Sequence, residues 1–393
     1  MKRTEKGKIG EGLSFRSSSA SPPVGGLPRS RNDKLRVGVL FGGRSAEHEV
    51  SLQSAKNVID AIDEEKYDVV PIGIDKQGHW HLYDAAQFLL NADNPKLIKL
   101  NKARTDLAVT PGSGKQHLVD LSRHELAQPL DVVFPVLHGP FGEDGTIQGL
   151  LKLMDVPFVG AGVLGSALGM DKDAQKRLLR DAGIPTAKFL SVMKSAPVDF
   201  DTAAKNLGQP VFVKPANLGS SVGIHKVRTQ EEFSVATEDA FSYDAKILIE
   251  EFIPGREIEC AVLGNETPIA SIPGEIIPQY EFYSYEAKYI DERGAILEAP
   301  ARLPEAVIKK VQDMAVQTFT ALCLAGMARV DFFLKKDGRL FVNEANTIPG
   351  FTKISMYPKL WELSGIPYPE LIDRLIQLAI ERHREEVKLK MSY

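Results

Sequence analysis

Between residues 328 and 350 the chain reads ARVDFFLKKDGRLFVNEANTIPG. The residues there that can do chemistry are Arg329, Asp331, Glu344 and Asn346. Apolar runs at 330–334 and 340–342 flank Lys336-Asp337-Gly338. Asp-Gly between strand-like runs signals a hairpin, because both residues tolerate positive φ angles. A two-residue Asp337-Gly338 loop sets Lys336 opposite Arg339, Asp331 opposite Glu344 and Arg329 opposite Asn346. Residues two apart on a strand share a face, so all four fall on one patch of a sheet. Two facing carboxylates repel unless a cation compensates them. With an amide oxygen they form an all-oxygen set suited to Mg²⁺, which completes its shell with water and substrate phosphates. Arg329 can hold an anion beside that metal. The competing reading is an exposed Arg–Glu–Asp salt-bridge cluster. The 347–350 loop, suited to close backbone approach, favours the metal.

The elements that must position this patch are legible along the chain. Residues 35–41 form an apolar strand followed by Gly42-Gly43-Arg44-Ser45, with Ser45 as the expected helix N-cap and a helix over 46–62. Strand, glycine turn and helix open an α/β unit with a ligand site at the strand's carboxyl end. Glu47 and Glu49 fall in the first turn, where they either complement the helix dipole or, for Glu47, meet a substrate ammonium group. Residues 67–74 and 79–83 read as strands, and 89–128 as a weakly patterned surface region. A buried strand at 131–137 ends in His138, inside a glycine-rich loop, and 146–154 is a helix. Gly160-Ala161-Gly162-Val163-Leu164-Gly165 matches GxGxxG, but too short a strand precedes it for a dinucleotide site. It reads as a glycine-rich connection.

Residues 171–182 form a helix carrying Lys172, and strands follow at 188–193 and 211–213. The second ends in Lys214-Pro215 and a Gly/Ser loop, 216–223, whose N–H groups can fold over phosphates while Lys172 and Lys214 reach the oxygens. No GxxxxGK[ST] motif occurs. A helix at 229–241, strands at 246–253, 257–263 and 269–277, and an aromatic Ω-type loop at 279–294 come next. The helix at 304–324 closes the layer beneath the hairpin, and a last amphipathic helix, 369–384, is expected on the surface.

At 393 residues the chain exceeds what one core usually fills, so two or three domains are expected. Its 43 % hydrophobic and 25 % charged content is that of an ordinary soluble enzyme. A net charge of −4 gives no electrostatic footprint for nucleic acid, and no apolar run approaches a membrane span. Cys260 and Cys323 both sit in apolar sequence and are expected to be buried and unpaired, fitting a reducing compartment. Residues 1–34 are basic, rich in Ser, Gly and Pro, and lack a secretory h-region. They read as a leader or disordered tail outside the fold.

Several motifs together resemble one family, the ATP-grasp D-alanine–D-alanine ligases. They are Gly42-Gly43-Arg44-Ser45-Ala46-Glu47-His48-Glu49-Val50-Ser51, His138-Gly139 with Gly142-Glu143-Asp144-Gly145, Met170-Asp171-Lys172, and Lys214-Pro215 with Gly219-Ser220-Ser221-Val222-Gly223. Tyr285-Glu286-Ala287-Lys288-Tyr289 and the stretches 326–331 and 343–350 complete the set, in family order, over residues 35 to 384. The resemblance implies an α/β fold with α+β elements: three domains, with ATP between two antiparallel sheets. The boundaries it suggests are 35–160 for the first substrate, 161–250 for the central ATP-grasp domain and 251–393 for the C-terminal one.

Carried over by position, Lys172, Lys214 and Lys288 would contact ATP phosphates. Glu250, Glu251, Phe252 and Ile253 would meet adenine, partly through backbone, and Glu257 the ribose. Asp331, Glu344 and Asn346 would hold two Mg²⁺ ions, with Mn²⁺ as an alternative and a monovalent cation as an optional addition. Glu47 would bind the first D-alanine's ammonium group and join Ser220 and Tyr289 in a hydrogen-bonded triad. Arg329 and the Gly350 N–H would stabilise the oxyanion. His138 would lie beside the first substrate, while Ser355 and Met356 would line the second-substrate site.

The resemblance implies small-molecule substrates, a cytoplasmic homodimer and synthesis of D-alanyl-D-alanine for peptidoglycan, with no nucleic-acid or membrane partner. One alternative is a ligase of the same type using D-lactate as second substrate, against which Tyr289 speaks. Others are another ATP-grasp carboxylate–amine ligase, a nucleotide-binding regulator without ligase activity, or a dinucleotide enzyme resting on 160–165 alone.

Overall fold

The computed structural model describes residues 34–92, 94–112, 118–127, 129–278, 295–352 and 354–390. The aromatic loop at 279–294, with Lys288 and Tyr289, lies outside the described residues, as does the 1–33 segment.

The first sheet grows from β1 (Leu35–Gly42), an LRVGVLFG run buried after its second residue. A chain covered on both faces has no reason to alternate, and this one does not. Helix α1 (His48–Ala61) crosses to β2 (Tyr67–Ile74), followed by β3 (Trp80–Leu82), the β4 (Leu89–Leu90) and β5 (Lys99–Leu100) pair, β6 (Thr105–Val109), β7 (Leu118–Asp120), β8 (Glu125–Leu126) and β9 (Val132–Pro135). The seven-stranded order is β8-β7-β6-β3-β2-β1-β9, with β1 parallel to both β2 and β9. The region read from sequence as unpatterned surface therefore supplies β6 to β8 and buries Leu107 and Leu118. Its strands are two to five residues long, too short for alternation to stand out.

Helices α2 (Thr146–Leu153), α3 (Val163–Met170) and α4 (Lys172–Asp181) lead to the second sheet. Before α3, Phe158 makes only an isolated bridge to Val133, so the GxGxxG match has no strand to open. A Cβ at Gly165 would lie 2.5 Å from Cys323 O, which accounts for a glycine there by helix packing. The second sheet has β10 (Phe189–Met193), β11 (Val211–Pro215), β12 (His225–Val227) and β13 (Lys246–Glu251) in the order β10-β13-β11-β12, all antiparallel. Its covering helices α5 (Phe200–Leu207) and α6 (Gln230–Tyr243) are capped by Asp199 and Thr229, each accepting a first-turn N–H.

The third sheet contains β14 (Arg256–Gly264), β15 (Ile269–Ala270), β16 (Gly274–Pro278), β17 (Ala295–Glu298), β18 (Gly326–Leu334) and β19 (Leu340–Asn346). Its order is β17-β16-β14-β18-β19, with β15 also on β14. The single strand expected at 269–277 is divided because Ser271 Oγ accepts the Ala261 N–H at 3.0 Å and Pro273 has none to give. Helix α7 (Glu305–Ala321) buries Val311, Ala315 and Phe319 against Ile258, Val330, Phe332 and Val342. The second and third sheets face each other across a cavity, as the ATP-grasp resemblance implies.

After α8 (Met356–Leu363), helix α9 (Tyr368–Glu386) packs on the surface as its amphipathic sequence suggested, with Glu370, Arg374, Gln377 and Glu381 exposed. Leu371, Ile372, Leu375 and Ile376 are fully buried in one core with Val37, Val39 and Phe41 of β1 and with Ala261 and Met327. Its apolar stripe thus meets residues of both the first and the third sheet. Leu375→Ala is expected to destabilise the protein by about 2–5 kcal/mol in denaturant unfolding, whereas an exposed helix position would change it by about 0.5 kcal/mol or less.

The cysteines do not pair. Burial pushes the Cys260 thiol up to about 12, but Cys323 is exposed, contrary to its apolar sequence context. It sits in the turn after α7 at φ +54°. No helix among the described residues is long and apolar enough to cross a membrane.

Candidate active site

The hairpin brings its four polar residues together by a route other than a two-residue loop. Lys335 donates its N–H to Arg339 O at 2.9 Å and Gly338 donates to Lys335 O at 3.0 Å. The loop is therefore 336–338, of the three-residue type, with Gly338 at φ +79°. Its register pairs Phe332 with Val342 and alone would set Asp331 opposite Asn343. A bulge next to Asp331 absorbs Asn343, so Asp331 meets Glu344 and Arg329 meets Asn346. Both Asn343 and Glu344 then line the cavity.

Arg329 Nε and Nη2 donate to Asp331 Oδ1 and Oδ2, each at 2.7 Å. The same Nε lies 3.2 Å from Glu259 Oε2 on β14. Asn346 Nδ2 donates to Asp331 Oδ2 at 3.0 Å, and Glu344 Oε2 lies 3.7 Å from Lys172 Nζ. Among the described residues no three His, Cys, Asp or Glu side chains form a metal cluster. The set here is two carboxylates and an amide, and Asp331 already holds a cationic partner. It fits a hard divalent ion.

The cavity between the sheets encloses about 500 Å³. The second sheet and its loops line it with Phe212, Lys214, Lys226 and the run Glu250, Glu251, Phe252, Ile253. The third sheet contributes Glu257, Ile276, Phe333 and Glu344, and Lys172 reaches in from the start of α4. Asp171 caps that helix by accepting the Ala174 N–H at 3.0 Å. Burial holds Lys172 below the usual lysine range, with Glu344 pulling the other way. Its Nζ donates to Leu218 O at 2.6 Å, clamping the glycine-rich loop.

Glu250 Oε1 lies 2.9 Å from Lys214 Nζ and 3.3 Å from Lys176 Nζ. Lys176 is fully buried, and burial pulls it down to about 8 against the attraction of Glu250. Glu251 Oε1 accepts the Lys188 N–H at 2.8 Å. Phe252 is exposed beside Phe212, with Lys226 Nζ 4.6 Å above its ring. A flat, partly open aromatic with a cation on it suits a stacked base.

Ser220 ties the glycine-rich loop to the first sheet's opening by donating to the Glu47 carboxylate. Ser220 and Ser221 both hold left-handed φ angles, +53° and +60°, the local strain that clusters at ligand clamps. Gly139, at φ +75°, leaves room for Glu47: a Cβ there would sit 2.7 Å from Oε2. Ser45 is not the N-cap. Helix α1 begins at His48 with Glu47 in the cap position, while Ser45 Oγ donates to His138 O at 2.6 Å and accepts the Glu47 N–H at 3.1 Å. The serine's hydroxyl joins two loops instead of starting the helix.

His138 is buried, its Nδ1 3.1 Å from Ile348 O and its Nε2 3.1 Å from Ser54 Oγ. Burial lowers its pKa, but Glu143, Glu47 and the Ile348 carbonyl outweigh that and raise it overall. A Cβ at Gly350 would meet Ser355 Oγ at 2.7 Å. That oxygen accepts the Thr352 N–H at 3.0 Å, and Met356 is buried beneath Gly274.

Sequence reading missed Lys176, Glu259 and Ser54. Lys176 lies one turn after Lys172, a spacing that stacks two lysines on one helix face. Glu259 is two residues after Glu257 on a strand, so it shares that residue's face. Nothing local marks Ser54, whose partners His138 and Phe351 are distant in sequence.

Two family models match the chain: D-ala D-ala ligase N-terminus over residues 36–161 and D-ala D-ala ligase C-terminus over 178–377. A D-alanine–D-alanine ligase of Oceanobacillus iheyensis is 58 % identical over 362 residues, covering 91 % of this chain and 99 % of that relative. The solved D-alanine-D-alanine ligase of Coxiella burnetii superposes with a TM-score of 0.80 at 41 % identity, covering 90 % of this chain and 96 % of that one. A D-Ala:D-Ser ligase structure from Enterococcus faecalis gives 0.78 at 36 % identity, covering 88 % and 100 %. With both halves of the chain matched and the cavity between its antiparallel sheets built as that fold requires, this protein belongs to the D-alanine–D-alanine ligase family.

Proposed function

We propose that the protein joins two D-alanines into D-alanyl-D-alanine, converting ATP to ADP and phosphate through a D-alanyl phosphate, for peptidoglycan precursor synthesis. The observation that carries this reading is the continuity of one cavity. Lys172, Lys214 and Glu344 line it together with Ser220, and Ser220 in turn is bonded to Glu47. Nucleotide, metal and amino-acid chemistry thus meet in one place.

Asp331, Glu344 and Asn346 would hold the magnesium that the family generally uses with ATP, two ions in this reading and replaceable by Mn²⁺, to neutralise phosphate charge. A monovalent cation is an optional addition. Lys172, Lys214 and Lys288 attract the triphosphate. Glu250, Glu251, Phe252 and Ile253 receive adenine, and Glu257 the ribose. Glu47 fixes the first D-alanine's ammonium group within a triad with Ser220 and Tyr289, and His138 stands beside its carboxylate. A carboxylate oxygen attacks the γ-phosphorus and the bond to ADP breaks, leaving the acyl phosphate. The amine of the second D-alanine, in a site bounded by Ser355 and Met356, then attacks the acyl carbon. Arg329 and the Gly350 N–H stabilise the tetrahedral oxyanion. Phosphate departs with the acyl C–O bond, and the amine's surplus proton leaves with it or to solvent.

The division into 35–160, 161–250 and 251–393, action as a homodimer, and a cytoplasmic site on small molecules alone complete the proposal. The test is ADP release and product mass with D-alanine, L-alanine, and D-alanine plus D-lactate. Release with D-alanine alone and a dialanine mass is expected. A depsipeptide mass in the mixture would make the hydroxy acid the acceptor, and no release at all would withdraw ligase activity.

A further inference from the structure

The largest unexplained charge in the protein is Lys176. Its side chain is completely excluded from solvent, a position a lysine keeps only where partners replace its hydration. Its Nζ lies 3.3 Å from Glu250 Oε1 and donates to Thr186 Oγ1 at 3.0 Å. Thr186 Oγ1 in turn donates to Val342 O at 3.0 Å, on β19 and two residues from Glu344. Beside it on α4, Gln175 Oε1 accepts the Ala345 N–H at 3.1 Å and its Nε2 donates to Ala345 O at 3.3 Å. Helix α4 is thereby fastened to the third sheet, while Lys176 reaches across to Glu250 on the second.

The same Glu250 oxygen that faces Lys176 also faces Lys214, at 2.9 Å. Two ammonium groups therefore share one carboxylate. With Lys172 near Glu344, three lysines meet two carboxylates, and the surplus positive charge falls on Lys172 and Lys214, which line the cavity. Lys176 does not line it. Without Lys176 the count becomes two against two: Lys214 would be fully claimed by Glu250, and its pull on a phosphate would weaken.

We propose that Lys176 is a positioning residue for the nucleotide, which engages Glu250 from behind so that Lys214 keeps its charge for the triphosphate. The proposal rests on reading the cavity as the ATP site. A residue acting through Glu250 is distinguishable from one that merely holds the fold, because its effect must depend on the Glu250 charge.

The test is a double-mutant cycle read by direct binding of a non-hydrolysable ATP analogue and by steady-state kinetics. Lys176→Met is expected to weaken analogue binding and raise the ATP KM on the order of tenfold. The D-alanine KM values and kcat at saturating ATP should stay within about twofold. In the Glu250→Gln background, whatever that change itself costs, adding Lys176→Met should alter analogue binding by less than about twofold, since Lys214 is no longer claimed. Equal weakening in both backgrounds, or wild-type affinity in Lys176→Met, would overturn the proposal. If Lys176→Met does not fold, Lys176→Gln decides. An amide can still hydrogen-bond but carries no charge, so analogue binding should again weaken on the order of tenfold, and unchanged binding would overturn the role. Wild-type protein that binds the analogue but makes no dipeptide would sink the ligase reading while leaving this cycle interpretable.

Discussion

Arg329→Ala is expected to lower kcat by about 10²- to 10³-fold, the usual loss when one oxyanion donor is removed, while ATP still binds. The geometry adds a second, opposite signature. In the wild type Arg329 occupies both oxygens of Asp331 at 2.7 Å and stands 3.2 Å from Glu259. Any metal taken up by Asp331 must compete with that guanidinium. Without it, two carboxylates are left without their counter-charge in a half-buried patch, so the Mg²⁺ concentration giving half-maximal ATP turnover should fall. Arg329→Lys should not rescue kcat, because an ammonium cannot reproduce the planar fork. Titrating Mg²⁺ at fixed ATP checks both effects. A kcat within about fivefold of wild type would remove the oxyanion role.

Asp331→Asn should fail in the reverse direction. It takes one of two formal negative charges from the Asp331–Glu344–Asn346 set and leaves Arg329 with Glu259. The Mg²⁺ requirement should rise on the order of tenfold or more, and kcat/KM for ATP at ordinary Mg²⁺ should fall by about 10²-fold or more. Excess Mg²⁺ should recover part of the rate. The two variants therefore move the metal requirement oppositely, which general damage to the hairpin would not do.

Sequence foretold the central pairing of Asp331 with Glu344 and of Arg329 with Asn346, yet through the wrong loop. Two departures cancel: the turn is one residue longer than Asp-Gly suggests, and the bulge at Asn343 restores the register. A bulge has no local sequence signature, so only its outcome could be anticipated. Lys172, Lys214 and the 216–223 loop were legible because lysines at strand and helix ends beside glycines have little structural reason to be there.

What stayed hidden depends on distant contacts. Helix α9 has an ordinary amphipathic stripe, and nothing in it says that β1 lies on the other side. Ser45 has a capping residue's composition, but His138 O and the Glu47 N–H compete for its hydroxyl and win. Lys176 reads as one more helical lysine until Glu250 and Thr186 close around it.

The central claim is that the D-alanine carboxylate is activated as an acyl phosphate in this cavity. The most direct measurement is the fate of oxygen-18 placed in that carboxylate, read by mass in the inorganic phosphate released during turnover. The account predicts one labelled oxygen per phosphate, transferred when the carboxylate attacks phosphorus and retained when the acyl C–O bond breaks. Phosphate carrying no label from D-alanine would mean that ATP is cleaved by water, and would contradict the mechanism however much ADP is formed.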